Sequence, residues 1–236
     1  MNRLLQYTVG IIFSICLMMV LLFTSVEAVV YWLPGYFEKE YTKYNVTKDV
    51  SMSMEDLLDV THEMMSYLRG TRNNLHIETT MGGVQREFFS AREIAHMKDV
   101  QGLFLGALSI RRGCLMVMGL CLIILFLLKT NFKRTFPRSV CAGTGIFFSV
   151  SAILAFIIST DFTRYFIMFH HIFFKNNLWM LDPSTDMLIN IVPEGFFRDT
   201  VFLIGSIYLF CTLLILAICV FLIRKVERKL RSSSHL

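Results

Sequence analysis

Four long apolar segments dominate the pattern of hydrophobic and polar positions along the chain. They cover residues 4–32, 102–128, 140–160 and 200–223. A helix rises about 1.5 Å per residue, so roughly 20 residues cross a hydrocarbon core of about 30 Å, whereas a lone strand would leave backbone groups unpaired in lipid. The pattern therefore predicts an all-α integral membrane protein with four transmembrane helices, in a single membrane domain over residues 1–236. The first segment could alternatively be a cleaved signal peptide, although it is longer than the usual apolar core of about 7–15 residues.

The first long segment between spans, residues 33–101, contains two helix patterns. Apolar residues recur at helical spacing at Leu57, Val60, Met64, Met65 and Leu68. Ser53 and Asp56 are start signals and Gly70 is a stop signal, so this stretch predicts an amphipathic helix. Gly82-Gly83 marks a turn. Ser90 and Glu93 form a capping-box pattern, which predicts a helix that runs into the second span.

The second segment between spans, residues 161–199, is unusually aromatic. It is too apolar to lie free in water and too interrupted to span, so we expect it at the membrane interface or over the mouth of the bundle. Asp182 and Pro183 predict the N-cap and first residue of a short helix containing Leu188-Ile189, which Pro193 would end. The sequence thus predicts two large extracytoplasmic segments that contain short helices.

Composition and charge support this placement. The chain is 55% hydrophobic and 17% charged, compared with about 25% charged residues in an ordinary soluble domain. A soluble domain, a disordered chain and a nucleic-acid binder are therefore excluded. The net charge of +5 divides unevenly along the chain. The N-terminal end, the short loop between the second and third spans and the C-terminal tail together carry ten basic residues and one acid, a net +9, whereas the rest of the chain carries −4. The basic residues are Arg3, Lys129, Lys133, Arg134, Arg138, Arg224, Lys225, Arg228, Lys229 and Arg231. By the positive-inside rule, both termini are predicted to be cytoplasmic.

Candidate chemistry lies in the two long segments that this orientation places outside, residues 33–101 (the first outer segment) and 161–199 (the second outer segment). Arg92, His96 and Asp99 share one helix face, and a carboxylate one turn from an imidazole can orient it as a general base. The alternative is a solvated polar face. In the second outer segment, His170 and His171 lie in an apolar setting. These two histidines and His96 could together form a metal site, but their spacing is not diagnostic, so we predict no metal.

Two stretches together resemble a known family. They are Arg92-Glu93-Ile94-Ala95-His96-Met97-Lys98-Asp99-Val100 and Phe169-His170-His171-Ile172-Phe173-Phe174, the latter followed by Asn177-Leu178-Trp179, Asp182-Pro183 and Pro193-Glu194-Gly195-Phe196-Phe197. The chain resembles the bacterial lipoprotein intramolecular transacylase family over nearly its whole length. The resemblance implies a membrane acyltransferase that moves the sn-2 acyl chain of a diacylglyceryl lipoprotein to the amine of its N-terminal cysteine, giving a lyso-form lipoprotein.

The resemblance also implies which residues act. His96 and His170 would be catalytic with Asp99 orienting His96, while Arg92, Glu93, Asn177, Trp179 and Asp182 would bind substrate. Diacylated lipoproteins in a phospholipid membrane would be the partners, with no cofactor and no nucleic acid. The active site would lie at the outer leaflet of the bacterial plasma membrane.

Two alternatives from other classes remain open at this point. One is a non-catalytic membrane scaffold, in which the histidines would be interfacial structure. The other is a lipid or solute transporter, in which Glu27 and the arginines Arg111 and Arg112 would line a path.

Overall fold

The computed structural model of the chain describes residues 2–233, and within that range four helices are long and apolar enough to cross a membrane. They are α1 (Asn2–Glu27), continued by a π-helical turn (Ala28–Trp32), α5 (Ala91–Leu127), α6 (Thr135–Thr160) and α9 (Glu194–Ser233). This confirms the predicted all-α fold with four spanning helices. All four helices begin before the apolar segment that predicted them, because polar residues at their N-terminal ends continue the helical hydrogen bonding.

Packing divides the described residues into two compact units. The helix unit contains residues 2–25, 109–160 and 204–233, and the site unit contains residues 26–108 and 161–203. All residues of the predicted catalytic and binding set fall in the site unit. Besides the π-helical turn and the first parts of α5 and α9, the site unit contains the short helices and the strands of the segments between spans. They are α2 (Tyr36–Lys43), α3 (Val46–Asp49), α4 (Met54–Leu68), β1 (Glu78–Met81), β2 (Val84–Glu87), α7 (Phe162–Phe173) and α8 (Met187–Ile191).

Small residues set the contact between α1 and α6 in the helix unit. The Ser14 hydroxyl donates to the carbonyl of Val140 at 3.1 Å and shares a hydrogen bond with the Thr144 hydroxyl at 2.9 Å. A Cβ added at Gly143 would lie 2.8 Å from the Cβ of Ser14, so these backbones approach too closely for any larger residue. Such packing stabilises helix pairs in lipid, where the hydrophobic effect between helices is absent.

The amphipathic helix predicted in the first outer segment is α4. Its N-cap Ser53 accepts a hydrogen bond from the backbone of Asp56 at 3.0 Å, and Gly70, just beyond the helix, has a φ of 79° that suits glycine. The predicted apolar face is entirely buried, at Leu57, Val60, Met64, Met65 and Leu68. The face therefore packs into the interior of the site unit.

A β-hairpin follows α4. Strands β1 and β2 pair antiparallel with Met81 opposite Val84, and the two glycines between them have φ values of 59° and 81°. Positive φ at both central positions is the geometry of a type I′ turn, which matches the twist of a hairpin. The sequence predicted the turn at Gly82-Gly83 but not the strands, because their residues are mostly polar and show no alternation.

The predicted helix start at Asp182 and Pro183 is wrong. The Asp182 carboxylate accepts hydrogen bonds from the Ser184 backbone at 2.9 Å and hydroxyl at 2.7 Å, so it closes a local turn. Helix α8 begins instead after its N-cap Asp186 and ends at Ile191, before Pro193. Asp182 does cap a local structure, but that structure is a turn and not a helix, because its side chain accepts hydrogen bonds from Ser184, two residues later in the chain.

Candidate active site

His170 lies near the end of α7 in an aromatic cluster and is 7% exposed. Its ring centroid is 4.3 Å from that of Phe166, 5.5 Å from that of Phe174 and 4.8 Å from that of Trp179. The Nδ1 atom lies 2.7 Å from the carbonyl oxygen of Phe166. A carbonyl only accepts, so Nδ1 carries the proton and Nε2 of the neutral ring has a free lone pair.

Burial also favours the neutral form of His170. Desolvation lowers the pKa of this imidazole below its ordinary value of 6.5, and the neighbouring His171 lowers it further, while the bond to Phe166 acts in the opposite direction. Desolvation dominates because a charged imidazole in an aromatic cluster loses its hydration. His170 is therefore neutral at neutral pH and can accept a proton at Nε2.

His96 reaches the same cluster from α5. The capping box predicted at the start of this helix is present, since the Ser90 backbone donates to Glu93 Oε2 at 2.7 Å and the Glu93 backbone donates to Ser90 Oγ at 3.3 Å. His96 lies on the second turn and is 6% exposed. Its ring centroid is 6.3 Å from that of His170 and 5.3 Å from that of Phe174. Two imidazoles from distant parts of the chain therefore share one buried aromatic site.

The Nδ1 atom of His96 is buried and has no hydrogen-bond partner within residues 2–233. The predicted contact that would orient it, from Asp99, is not among the hydrogen bonds of that part of the chain. The Asp99 carboxylate instead accepts from the side chain of Asn176 at 2.8 Å. Asp99 thus anchors the segment that follows α7, and a role for it in orienting His96 stays a prediction.

Arg92 anchors the same segment one residue further on. Its guanidinium donates to the backbone carbonyl of Asn177 at 2.8 Å, and its side chain is exposed. The face shared by Arg92, His96 and Asp99 therefore faces the second outer segment, which covers it. A solvated polar face, the alternative interpretation of this pattern, does not describe His96, because the imidazole is buried.

Glu93 is fully buried and joins the start of α5 to α8. Besides the capping-box contact, its Oε1 accepts from the backbone of Leu188 at 2.5 Å. Ser90 Oγ donates to Asp186 Oδ1 at 3.3 Å, and the Asp182 backbone donates to Asp186 Oδ2 at 2.8 Å. Sequence reasoning missed Asp186, although an aspartate directly before the apolar stretch Met187–Ile191 is an N-cap signal.

Of the remaining predicted residues, Trp179 lies against the histidine pair, whereas the Asp182 side chain bonds only to Ser184 among the hydrogen bonds of the described residues. Trp179 packs against His170 and also contacts the exposed His171, whose ring meets it edge-on at 5.1 Å between centroids. The carboxylate of Asp182 is exposed, and the bonds from Ser184 hold its pKa below the ordinary value. Glu27, also in the site unit, is buried with its Oε1 atom 3.5 Å from Arg69 Nη2.

In the described part of the chain, no three His, Cys, Asp or Glu side chains are grouped closely enough to hold a metal ion. Fold and site together define a multi-pass membrane protein with a buried pair of histidines suited to acid/base chemistry. The chain belongs to the lipoprotein intramolecular transacylase family, Lit, whose family model matches residues 11–197. The family is one of acyltransferases, so the class of enzyme suggested by the two histidine motifs is confirmed.

Solved structures of similar fold come from the same family. The lipoprotein intramolecular transacylase Lit of Bacillus cereus, solved in meso as an integral membrane protein, matches with a TM-score of 0.77 and 21% identity, covering 95% of this chain and 98% of that one. Two variants of the Bacillus cereus protein, with one histidine replaced by alanine or by arginine, match with a TM-score of 0.74 and 20% and 21% identity. They cover 95% of this chain and 96% and 95% of their own. No curated protein matches the chain.

Proposed function

We propose that this protein moves the sn-2 acyl chain of a diacylglyceryl lipoprotein to the α-amine of its N-terminal cysteine, and that His96 and His170 carry the proton transfers. The observation that carries the proposal is the buried histidine pair, with 6.3 Å between ring centroids. Family membership supplies the class of reaction. The pair supplies acid and base groups at one place.

The chemistry needs one proton removed from the α-ammonium and a second proton moved from the nitrogen to the glycerol oxygen. An α-amine has a pKa of about 7.7–8.0, so a neutral imidazole can take its proton at modest cost. The free amine attacks the sn-2 ester carbonyl, a C–N bond forms and the C–O bond to glycerol breaks. The proton first taken from the ammonium passes on to solvent, and a second proton, which the nitrogen loses as the amide forms, ends on the glycerol oxygen. In this scheme His170 exchanges protons through Nε2, because its Nδ1 is hydrogen-bonded to the carbonyl of Phe166. His96 can exchange a proton through Nδ1, which has no hydrogen-bond partner within the described chain.

Proximity supplies much of the remaining acceleration. The amine and the ester belong to the same lipid-modified molecule, and well-oriented intramolecular reactions reach effective molarities of about 10⁵–10⁸ M. Holding the bound lipopeptide in one conformation is therefore the main task of the site. No covalent acyl-enzyme is needed.

The surroundings of His170 suit a double-chain lipid. On α7 the apolar side chains of Ile167, Phe169, Ile172 and Phe173 are between 41% and 68% exposed. An exposed apolar face next to a buried imidazole is expected where acyl chains reach the site from the membrane. Together with the asymmetry of basic residues, this supports cytoplasmic termini and an active site at the outer leaflet of the bacterial plasma membrane.

Two single variants test the proposal. Purified His96→Ala and His170→Ala proteins in proteoliposomes would be given a diacylated lipopeptide, and its lyso product would be followed by mass spectrometry. We expect each variant to lose at least about 100-fold in turnover, as for removal of a general acid or base, while His62→Ala, at an exposed histidine of α4, behaves as wild type. Normal turnover by both site variants contradicts the proposal, and flux of lipid that depends on Glu27 would favour a transporter.

A further inference from the structure

Trp179 carries a buried hydrogen-bond donor that nothing in the described chain satisfies. Five buried side-chain N or O atoms within residues 2–233 have no partner, and two of them, His96 Nδ1 and Trp179 Nε1, belong to the cluster around His170. An indole N–H can only donate. Burying it unpaired is costly, and one reason for which native proteins keep such a group is a role in catalysis.

The indole lies directly against the proposed acid/base pair. Its centroid is 4.8 Å from that of His170 with the planes 31° apart, so the two rings are loosely stacked, and His171 contacts the indole edge-on. A substrate atom that accepts from Trp179 Nε1 is therefore close to the reactive imidazole. The stacking also limits rotation of the indole about its side-chain bonds.

The backbone that carries Trp179 is braced on both sides. Asn176 Nδ2 is bound to Asp99, and Asn176 Oδ1 accepts from the Leu178 backbone at 3.1 Å. The carbonyl of Trp179 itself accepts from the Leu181 backbone at 3.0 Å. A donor that is fixed before the substrate arrives needs no reorganisation when charge develops, which is what an oxyanion-binding group requires.

We propose that the indole N–H of Trp179 donates to the sn-2 ester carbonyl oxygen of the lipoprotein and stabilises the negative charge that forms there when the amine attacks. This inference rests on the proposed function. Trp179 keeps its proton throughout: the C–N bond forms, the C–O bond breaks, and the amine proton passes to the glycerol oxygen. Arg92, which was predicted to bind substrate, is exposed and its guanidinium already donates to the Asn177 carbonyl.

An isosteric replacement tests the donor without changing the packing. Benzothienylalanine has the shape of tryptophan but carries sulfur in place of the N–H, and it can be introduced at position 179 by genetic code expansion. We expect kcat for the diacylated lipopeptide to fall about 100-fold, the lower end for one oxyanion donor. The matched control is the same replacement at Trp32, the other tryptophan of the chain, whose side chain is 53% exposed.

A spectroscopic measurement separates a substrate contact from a structural role. With an N-acetylated lipopeptide, which cannot react, the isotope-labelled sn-2 carbonyl stretch is recorded by infrared spectroscopy in the bound state. Wild type and the Trp32 replacement should show the lowered frequency of a hydrogen-bonded carbonyl, and the Trp179 replacement should not.

An unchanged kcat or an unchanged carbonyl stretch at position 179 overturns the inference, as does a loss of activity matched by an equal loss of thermal stability. A wild-type protein that gives no lyso product contradicts the proposed function itself, so the two failures are distinguishable.

Discussion

The imidazole of His170 donates from Nδ1 to the carbonyl oxygen of Phe166, one helical turn earlier, at 2.7 Å. This contact selects one tautomer of the neutral ring and leaves Nε2 as its only basic atom. A histidine near the end of a helix usually meets water, but here Phe166, Phe174 and Trp179 surround it. The result is an imidazole whose orientation and tautomer are fixed by the protein itself, as the proposed role of a base requires.

The lowered pKa of His170 predicts a loss of stability in acid. Between its lowered value and the ordinary 6.5, the unfolded chain binds more protons at this position than the native protein, so stability falls as the pH falls below about 6.5. Thermal unfolding in micelles at neutral and mildly acidic pH would measure this. In His170→Phe the side chain cannot titrate, so the melting temperature should fall less as the pH is lowered. An equal pH dependence of the melting temperature in both proteins would contradict the prediction.

The contact between Asp99 and Asn176 predicts coupled effects on turnover. If Asp99 acts mainly by anchoring the segment after α7, Asn176→Ala should reproduce most of the loss seen in Asp99→Ala, because each variant breaks the same hydrogen bond. The double variant should then lose little more than either single one. Additive losses, with Asn176→Ala close to wild type, would show that Asp99 acts through His96 instead. Asn73→Ala, at an exposed asparagine, serves as the control.

The buried carboxylate of Glu93 predicts that its removal destabilises α8, a helix far from Glu93 in the sequence. In Glu93→Ala the backbone N–H groups of Ser90 and Leu188 lose their acceptor, at about 1–3 kcal/mol for each buried donor left unpaired. We expect a lower melting temperature and faster hydrogen exchange at the Leu188 amide, with reduced activity as a consequence. Glu38→Ala, at an exposed position of α2, should change neither, and unchanged protection of Leu188 in the Glu93 variant would refute the role.

The close approach of α1 and α6 predicts a strict size limit at one glycine. A Cβ at Gly143 would lie 2.8 Å from Ser14 Cβ and 3.3 Å from the carbonyl oxygen of Ile11, whereas nothing lies within 4 Å of one at Gly145. Gly143→Ala should therefore destabilise the protein by about 1–3 kcal/mol through overpacking. Gly145→Ala, two residues later in the same helix, should be neutral or slightly stabilising. Equal melting temperatures of the two variants would count against the contact.

The sequence predicted most of the helical framework because its signals are local. Length and hydropathy identify the spanning helices, the spacing of Leu57 to Leu68 identifies α4, and Ser90 with Glu93 marks the start of α5. The strands of the hairpin were not predicted, because their residues are mostly polar and only their pairing with each other defines them. The start of α8 was misplaced although Asp186 carries a local N-cap signal, and the bond from the Leu188 backbone to Glu93 that ties this helix to α5 could not be read from the sequence.

By itself, the sequence determined that this is a membrane protein with four spanning helices and predicted histidine chemistry in two segments between them, since hydrophobic length and local capping need no knowledge of the fold. Only the tertiary structure decided that His96 and His170 share one buried cluster, that Asp99 binds Asn176, and that the indole N–H of Trp179 has no acceptor within residues 2–233. The first two of these facts depend on contacts between residues more than 70 positions apart. Such contacts arise from packing and desolvation in three dimensions, and no local pattern encodes them.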